Sequence, residues 1–193
     1  LRVKYGVKKK INTSKKVSSK LNLALKNKIY TIDTARIYGD SEKNIGKYFR
    51  NNRNRKIRII TKLTPYNYRY SNENLKNEIE KNIKITLKNL RLKKLDTILI
   101  HKASNLEKNN KLIWKYLIDL KRKKIVKNLG ISIQNVKELR KALSLKDVSV
   151  IQLPFNVLDN RWKKLIPKII KEKKKKEIRN SRKKHIPSRT IGY

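Results

Sequence analysis

Short apolar runs alternate along this chain with segments of helical period. The runs at 29–33 (IYTID), 57–62 (IRIITK), 96–101 (DTILIH), 126–132 (VKNLGIS) and 148–153 (VSVIQL) are rich in Ile, Val, Leu and Thr and read as strands. Between them, Leu75, Ile79, Ile83, Leu87 and Leu90 recur at spacings of 4, 4, 4 and 3, one stripe of a helix that Ser71 is placed to cap. Leu112, Ile113, Tyr116, Leu117 and Leu120 repeat the pattern, Val136, Leu139 and Leu143 repeat it over a shorter helix, and a further helix is expected around 17–27. Strands that alternate with helices are the mark of βα units, so the pattern predicts an α/β fold built on a parallel sheet.

The two ends depart from that pattern. Residues 1–5 read as the remnant of a first strand. Past "WKKLIPKIIKEKKKK", the segment "EIRNSRKKHIPSRTIGY" holds no apolar run long enough for another. The expected division is a folded domain over 1–170 and a basic tail over 171–193. The break follows four lysines in a row at 173–176. Consecutive adenines encode such a run, and a reading-frame slip there is the expected cause.

Charge changes the picture less than its size suggests. Lys and Arg number 54 against 14 Asp and Glu, a net charge of +40, and such an excess normally points to a polyanionic partner. The basic residues are spread over nearly every segment, Asn and Ile are abundant and Gly numbers only 5, which is what an AT-rich coding sequence produces. The stretch "KEKKKKE" at 171–177 has no interleaved aromatic residues on which bases would stack, so it reads as a solvated helix end. Trp162 and Tyr116 read as core or pocket-wall residues. No specific nucleic-acid partner is expected.

The chain has no Cys, which excludes a disulfide framework, a thiolate metal site and a thiol nucleophile, and fits a reducing compartment. No metal ligand is assigned. The N-terminal segment lacks the apolar run of a signal peptide, and no apolar stretch approaches the roughly 20 residues that span a bilayer. A soluble, cytoplasmic protein with no membrane partner is expected.

The candidate chemistry lies at strand ends. Polar residues that close apolar strands sit at the C-terminal edge of a parallel sheet, where α/β proteins place their sites. Asp33, Lys62 and His101 close three consecutive runs. Tyr38 follows Asp33 by five residues, in the loop between a strand and a capped helix within "YTIDTARIYGDSEKNIGKYF" at 30–49. A phenol with an ordinary pKa of about 10 gives up a proton at neutral pH only where something stabilises the phenolate. The Lys62 ammonium supplies such a field, Asp33 pairs with the lysine and holds it, and His101 donates a hydrogen bond to a substrate oxygen.

These residues also carry a family resemblance. "DTARIYGDSEKNIG" resembles the D-x-A-x-x-Y-G-x-S-E-x-x-[IVL]-G signature of the aldo-keto reductases, and "IITK", "DTILIH", "GIS" and "VIQLPFN" follow in the order of that family's third to sixth strands. The likeness covers roughly residues 28–165. It implies an incomplete (β/α)8 TIM barrel, about six of eight strands with the C-terminal βα units missing, and NADPH-dependent reduction of an aldehyde or ketone. It implies a catalytic tetrad of Asp33, Tyr38, Lys62 and His101. Ser132 and Gln152 match positions that hydrogen-bond the nicotinamide carboxamide. Ile133 stands where the family often has Asn, no seventh-strand stacking residue is identifiable, and no role is carried onto Ser188 or Arg189 of "IPSRT". A complete barrel needs about 250 residues, so a chain of 193 is expected not to behave as a stable, fully active monomer. Two other readings compete: a non-catalytic basic protein that binds nucleic acid or anionic surfaces, and a degraded reading frame without function. The sequence names neither the carbonyl substrate nor the oligomeric state.

Overall fold

The computed structural model describes residues 14–52, 57–66, 71–106, 111–155, 161–163 and 165–171. The expected strand remnant at 1–5, the tail from 172 onward with its four-lysine run, and Ser188 and Arg189 lie outside the described residues. The chain divides into two units, Leu1–Gln152 and Leu153–Tyr193. In the second, residues 165–171 are helical and Trp162 is buried, with the Arg161 guanidinium 5.9 Å from its ring centroid.

The first unit runs α1 (Ser14–Lys26), β1 (Thr31–Asp33), α2 (Ser41–Asn51), β2 (Arg58–Leu63), α3 (Asn72–Leu90), β3 (Leu95–Ile100), a 3-10 turn (Ala103–Leu106), α4 (Leu112–Arg122), β4 (Val126–Ser132), α5 (Val136–Ser144) and β5 (Val148–Gln152). The five strands form one sheet in the order β1-β2-β3-β4-β5, every pair parallel. Each predicted apolar run supplies one of these strands. Parallel strands are covered by helices and so are apolar throughout. In β2, β3 and β4, Ile59, Ile98, Leu99, Ile100, Leu129 and Ile131 are buried, as are Leu75, Ile79 and Leu90 of α3 and Leu117 of α4.

The helix starts follow their caps. The Ser71 hydroxyl accepts from the Asn74 N–H at 3.2 Å at the head of α3, as its place in the sequence predicts. Asn135 does the same for α5 by accepting from the Glu138 N–H at 2.9 Å. Asp40 occupies the cap position of α2 without a side-chain cap bond and pairs instead with exposed Lys43 at 3.2 Å. The α3 stripe is less apolar than its spacing predicts: Leu87 is half-buried, while Asn82 and Thr86 are buried among Leu75, Ile79, Ile83 and Leu90. Asn82 is satisfied there, since its carbonyl oxygen accepts from Arg36 and Thr64 and its amide donates to the Glu78 carbonyl. No helix among the described residues is long and apolar enough to cross a membrane.

Candidate active site

Because the strands are parallel, their C-terminal ends share one edge, and a polar side chain stands at or beside each end. Asp33, Ser132 and Gln152 are the last residues of β1, β4 and β5, Lys62 is the penultimate residue of β2, and His101 directly follows β3. In the pairing register Lys62 lies opposite Leu99 and Ser132 opposite Gln152, so the edge is continuous from β1 to β5.

Lys62 is the centre of the cluster. It is 3% exposed, and its Nζ lies 2.6 and 2.7 Å from the two Asp33 carboxylate oxygens and 3.2 Å from the Thr34 carbonyl oxygen. An ammonium has three N–H donors, and three acceptors meet it here, the condition for keeping a charge in a dry place. The Tyr38 ring centroid stands 5.1 Å from that ammonium, and its ring meets His101 edge-on with centroids 6.0 Å apart. Tyr38 is 43% exposed, as is Ile37, so the phenol lies within reach of solvent while its cationic neighbour does not.

The backbone explains how Tyr38 comes to this position. The Thr34 N–H extends the β1 ladder by bonding the Ile60 carbonyl at 2.8 Å, after which the chain turns with the Tyr38 N–H on the Ala35 carbonyl at 3.0 Å. Gly39 then takes φ +63°, the left-handed region that a side chain disfavours, and the chain enters α2. The loop is closed by a 2.8 Å hydrogen bond between the hydroxyls of Thr34 and Ser41.

His101 is held on the neutral side. Burial lowers its pKa from the ordinary value, the cations Lys62 and Lys102 lower it further, and Asp33 acts in the opposite sense. Its Nδ1 is buried and has no hydrogen-bond partner among the described residues. Ser132 is nearly buried, and beside it the Ile133 N–H donates to the Gln152 carbonyl at 2.8 Å. Asp33, Tyr38, Lys62 and His101 thus form one chain of contacts, and Ser132 and Gln152 adjoin one another further along the same edge.

The structure gives roles to residues that the sequence analysis left without one. Glu42 is buried in the first turn of α2 and accepts from Thr61 at 2.8 Å and from Asn89 at 3.3 Å. Glu42 is the acid of the signature, but an acid in a first helical turn ordinarily reads as a partner of the helix dipole, so its burial is not legible from its position. Gly46, one turn later, is legible only as the last glycine of the signature. A Cβ there would fall 1.9 Å from the Asn89 carbonyl oxygen of α3.

A parallel sheet with a buried lysine–carboxylate pair and a tyrosine at its C-terminal edge defines a half-barrel of the (β/α)8 type with one polar site at its strand ends. The model of the aldo/keto reductase family matches residues 4–179, and the chain belongs to that family. Among solved structures it is similar to an aldo-keto reductase from Bacillus halodurans in its holo form, with TM-score 0.66 and 20% identity over 82% of this chain and 53% of that one. It is likewise similar to a putative aldo-keto reductase from Pseudomonas aeruginosa, with TM-score 0.70 and 22% identity over 87% and 65%. An aldo/keto reductase from Brucella melitensis gives TM-score 0.57 and 26% identity over 74% and 55%. The chain therefore spans between about half and two thirds of the length of these relatives. Compared with curated proteins, it has no match.

Proposed function

We propose that this chain is a carbonyl reductase that uses NADPH to convert an aldehyde or ketone to an alcohol, with residues 1–170 as its partial barrel and 171–193 as a basic tail. The observation that carries the reading is the buried Lys62 ammonium, held by both oxygens of Asp33 and placed 5.1 Å from the ring of a solvent-reachable tyrosine.

In this reading Tyr38 is the proton donor. As its hydroxyl passes a proton to the carbonyl oxygen, negative charge grows on the phenol, and the ammonium beside it stabilises that charge without reorganising. Asp33 is the anchor that keeps the ammonium in place. His101 orients the substrate: a neutral imidazole with its proton on Nε2 leaves the partnerless Nδ1 as a bare acceptor, which is less costly to bury than an N–H. Bound nicotinamide supplies the hydride that reaches the carbonyl carbon. Ser132 and Gln152, a hydroxyl and a primary amide side by side at the strand ends, offer the donors and acceptors that a carboxamide needs, and so fit that end of the cofactor.

Tyr38→Phe tests the reading. The variant is expected to lose about 10²- to 10⁴-fold in kcat/KM toward a simple aldehyde while its NADPH affinity stays unchanged. Lys62→Met is expected to lose activity and to move the alkaline limb of the pH profile upward, since the phenol then keeps its proton to higher pH. A fully active Phe variant removes Tyr38 from the acid role.

A further inference from the structure

Glu42 is 1% exposed and stands outside the contacts assigned above to the reaction. A carboxylate that far from water is costly unless hydrogen bonds replace its solvation. Its two oxygens are taken by two different elements: Oε1 accepts from the Thr61 hydroxyl of β2 at 2.8 Å and Oε2 from the Asn89 amide of α3 at 3.3 Å.

The neighbours of these groups close a circuit. Thr61 precedes Lys62 on β2, and Ser41 precedes Glu42 on α2. The Lys62 ammonium donates to the Thr34 carbonyl at 3.2 Å, and the Thr34 and Ser41 hydroxyls share a bond at 2.8 Å. The path from Lys62 to Thr34, Ser41, Glu42, Thr61 and back to Lys62 therefore consists of three hydrogen bonds and two peptide links. It clamps the Tyr38 loop at both ends, at Thr34 on entry and at Ser41 on exit. Asn89 presses on the same helix one turn later, because α2 approaches its carbonyl so closely that only a glycine fits at position 46. Sliding α2 along β2 would break the Glu42 bonds inside a dry interface.

We propose that Glu42 and Thr61 are positioning residues whose buried hydrogen bond fixes the Tyr38 loop against the Lys62 ammonium and so sets how strongly that ammonium stabilises the Tyr38 phenolate. This rests on the reading of Tyr38 as the proton donor. At an effective dielectric of about 20, retreat of a charge from about 5 to about 6 Å changes a titration midpoint by roughly 0.4 pH unit, so small displacements are readable.

The test is a titration of the full chain labelled with [ζ-13C]tyrosine and followed by carbon NMR, with the Tyr38 signal assigned by its loss in Tyr38→Phe. Thr61→Val keeps the side-chain shape and removes the donor, whereas Thr61→Ser keeps the hydroxyl. Thr61→Val is expected to raise the Tyr38 midpoint by roughly half a pH unit, in the direction of Lys62→Met but by less, and Thr61→Ser to stay at the wild-type value. If Lys62→Met raises the midpoint and folded Thr61→Val does not, the positioning role is overturned while the proton-donor reading stands. If Lys62→Met itself leaves the midpoint unmoved, the underlying reading fails. Should Thr61→Val not fold, Ser41→Ala opens the same circuit at a half-buried bond and is expected to raise the midpoint. An unchanged value there overturns the role equally.

Discussion

His101 has its imidazole flanked by Lys62 and Lys102 and partly removed from water, and these forces lower its pKa against the single opposing pull of Asp33. Since the folded state binds its proton less readily than the unfolded chain, the associated stability is present above about pH 6.5 and is lost as pH falls through the lower folded value. The chain contains two histidines, so imidazole proton NMR with His101→Gln as the assignment control resolves the group directly. Its midpoint is expected below about 6.5, and a midpoint at or above that contradicts the cationic, desolvated setting described for it. A shifted group is not by itself a site, as a second pair shows. The Tyr116 phenol, on α4, has its pKa raised by burial and by donating to Glu80, whose own pKa that bond lowers with help from Lys76, Lys84 and Lys123. That pair ties α3 to α4, and none of the strand-end residues takes part in it. Convergence of several polar groups on one edge marks the site at His101.

At the scale of elements, α2 is the piece on which the site depends, and Gly46 tests how it is held. Alanine in place of a mid-helix glycine ordinarily gains about 1 kcal/mol. Here the added Cβ would meet the Asn89 carbonyl oxygen at 1.9 Å and atoms of α3 backbone at 3.0 and 3.1 Å. Gly46→Ala is therefore expected to lower stability by about 1–3 kcal/mol in urea unfolding, through forced separation of two helices. A variant as stable as the wild type contradicts the close approach. The same region shows what a sequence can and cannot reveal. Asp33, Lys62 and His101 are legible because each interrupts or ends an apolar run whose length matches a strand. The bond from Thr61 to Glu42 is not, since a threonine within a β-rich run reads as an ordinary strand former and its partner sits 19 residues away. Asn82 of α3 is hidden for a related reason: the donors that satisfy its buried carbonyl oxygen, Arg36 and Thr64, arrive from other segments, a fact that no local period encodes. The run at 29–33 overstates β1, which pairs with β2 only over Thr31–Asp33 and leaves Ile29 and Tyr30 exposed.

At the scale of the whole chain, two properties pull toward different functions. The fold is that of the aldo/keto reductase family over most of the chain, whereas a net charge of +40 would draw any polyanion, NADPH included, by nonspecific attraction that fades steeply with salt. Simple binding therefore does not separate the two, but chemistry at the carbonyl carbon does. The most direct measurement is deuterium transfer from NADPH deuterated at the nicotinamide C4 to an aldehyde, read by mass spectrometry of the alcohol, at low and at high salt, for the wild type and Tyr38→Phe. The proposed function requires deuterated alcohol from the wild type at both salt concentrations and a loss of about 10²-fold or more in the phenylalanine variant. No transfer by the folded wild-type chain, or equal transfer by Tyr38→Phe, would contradict it.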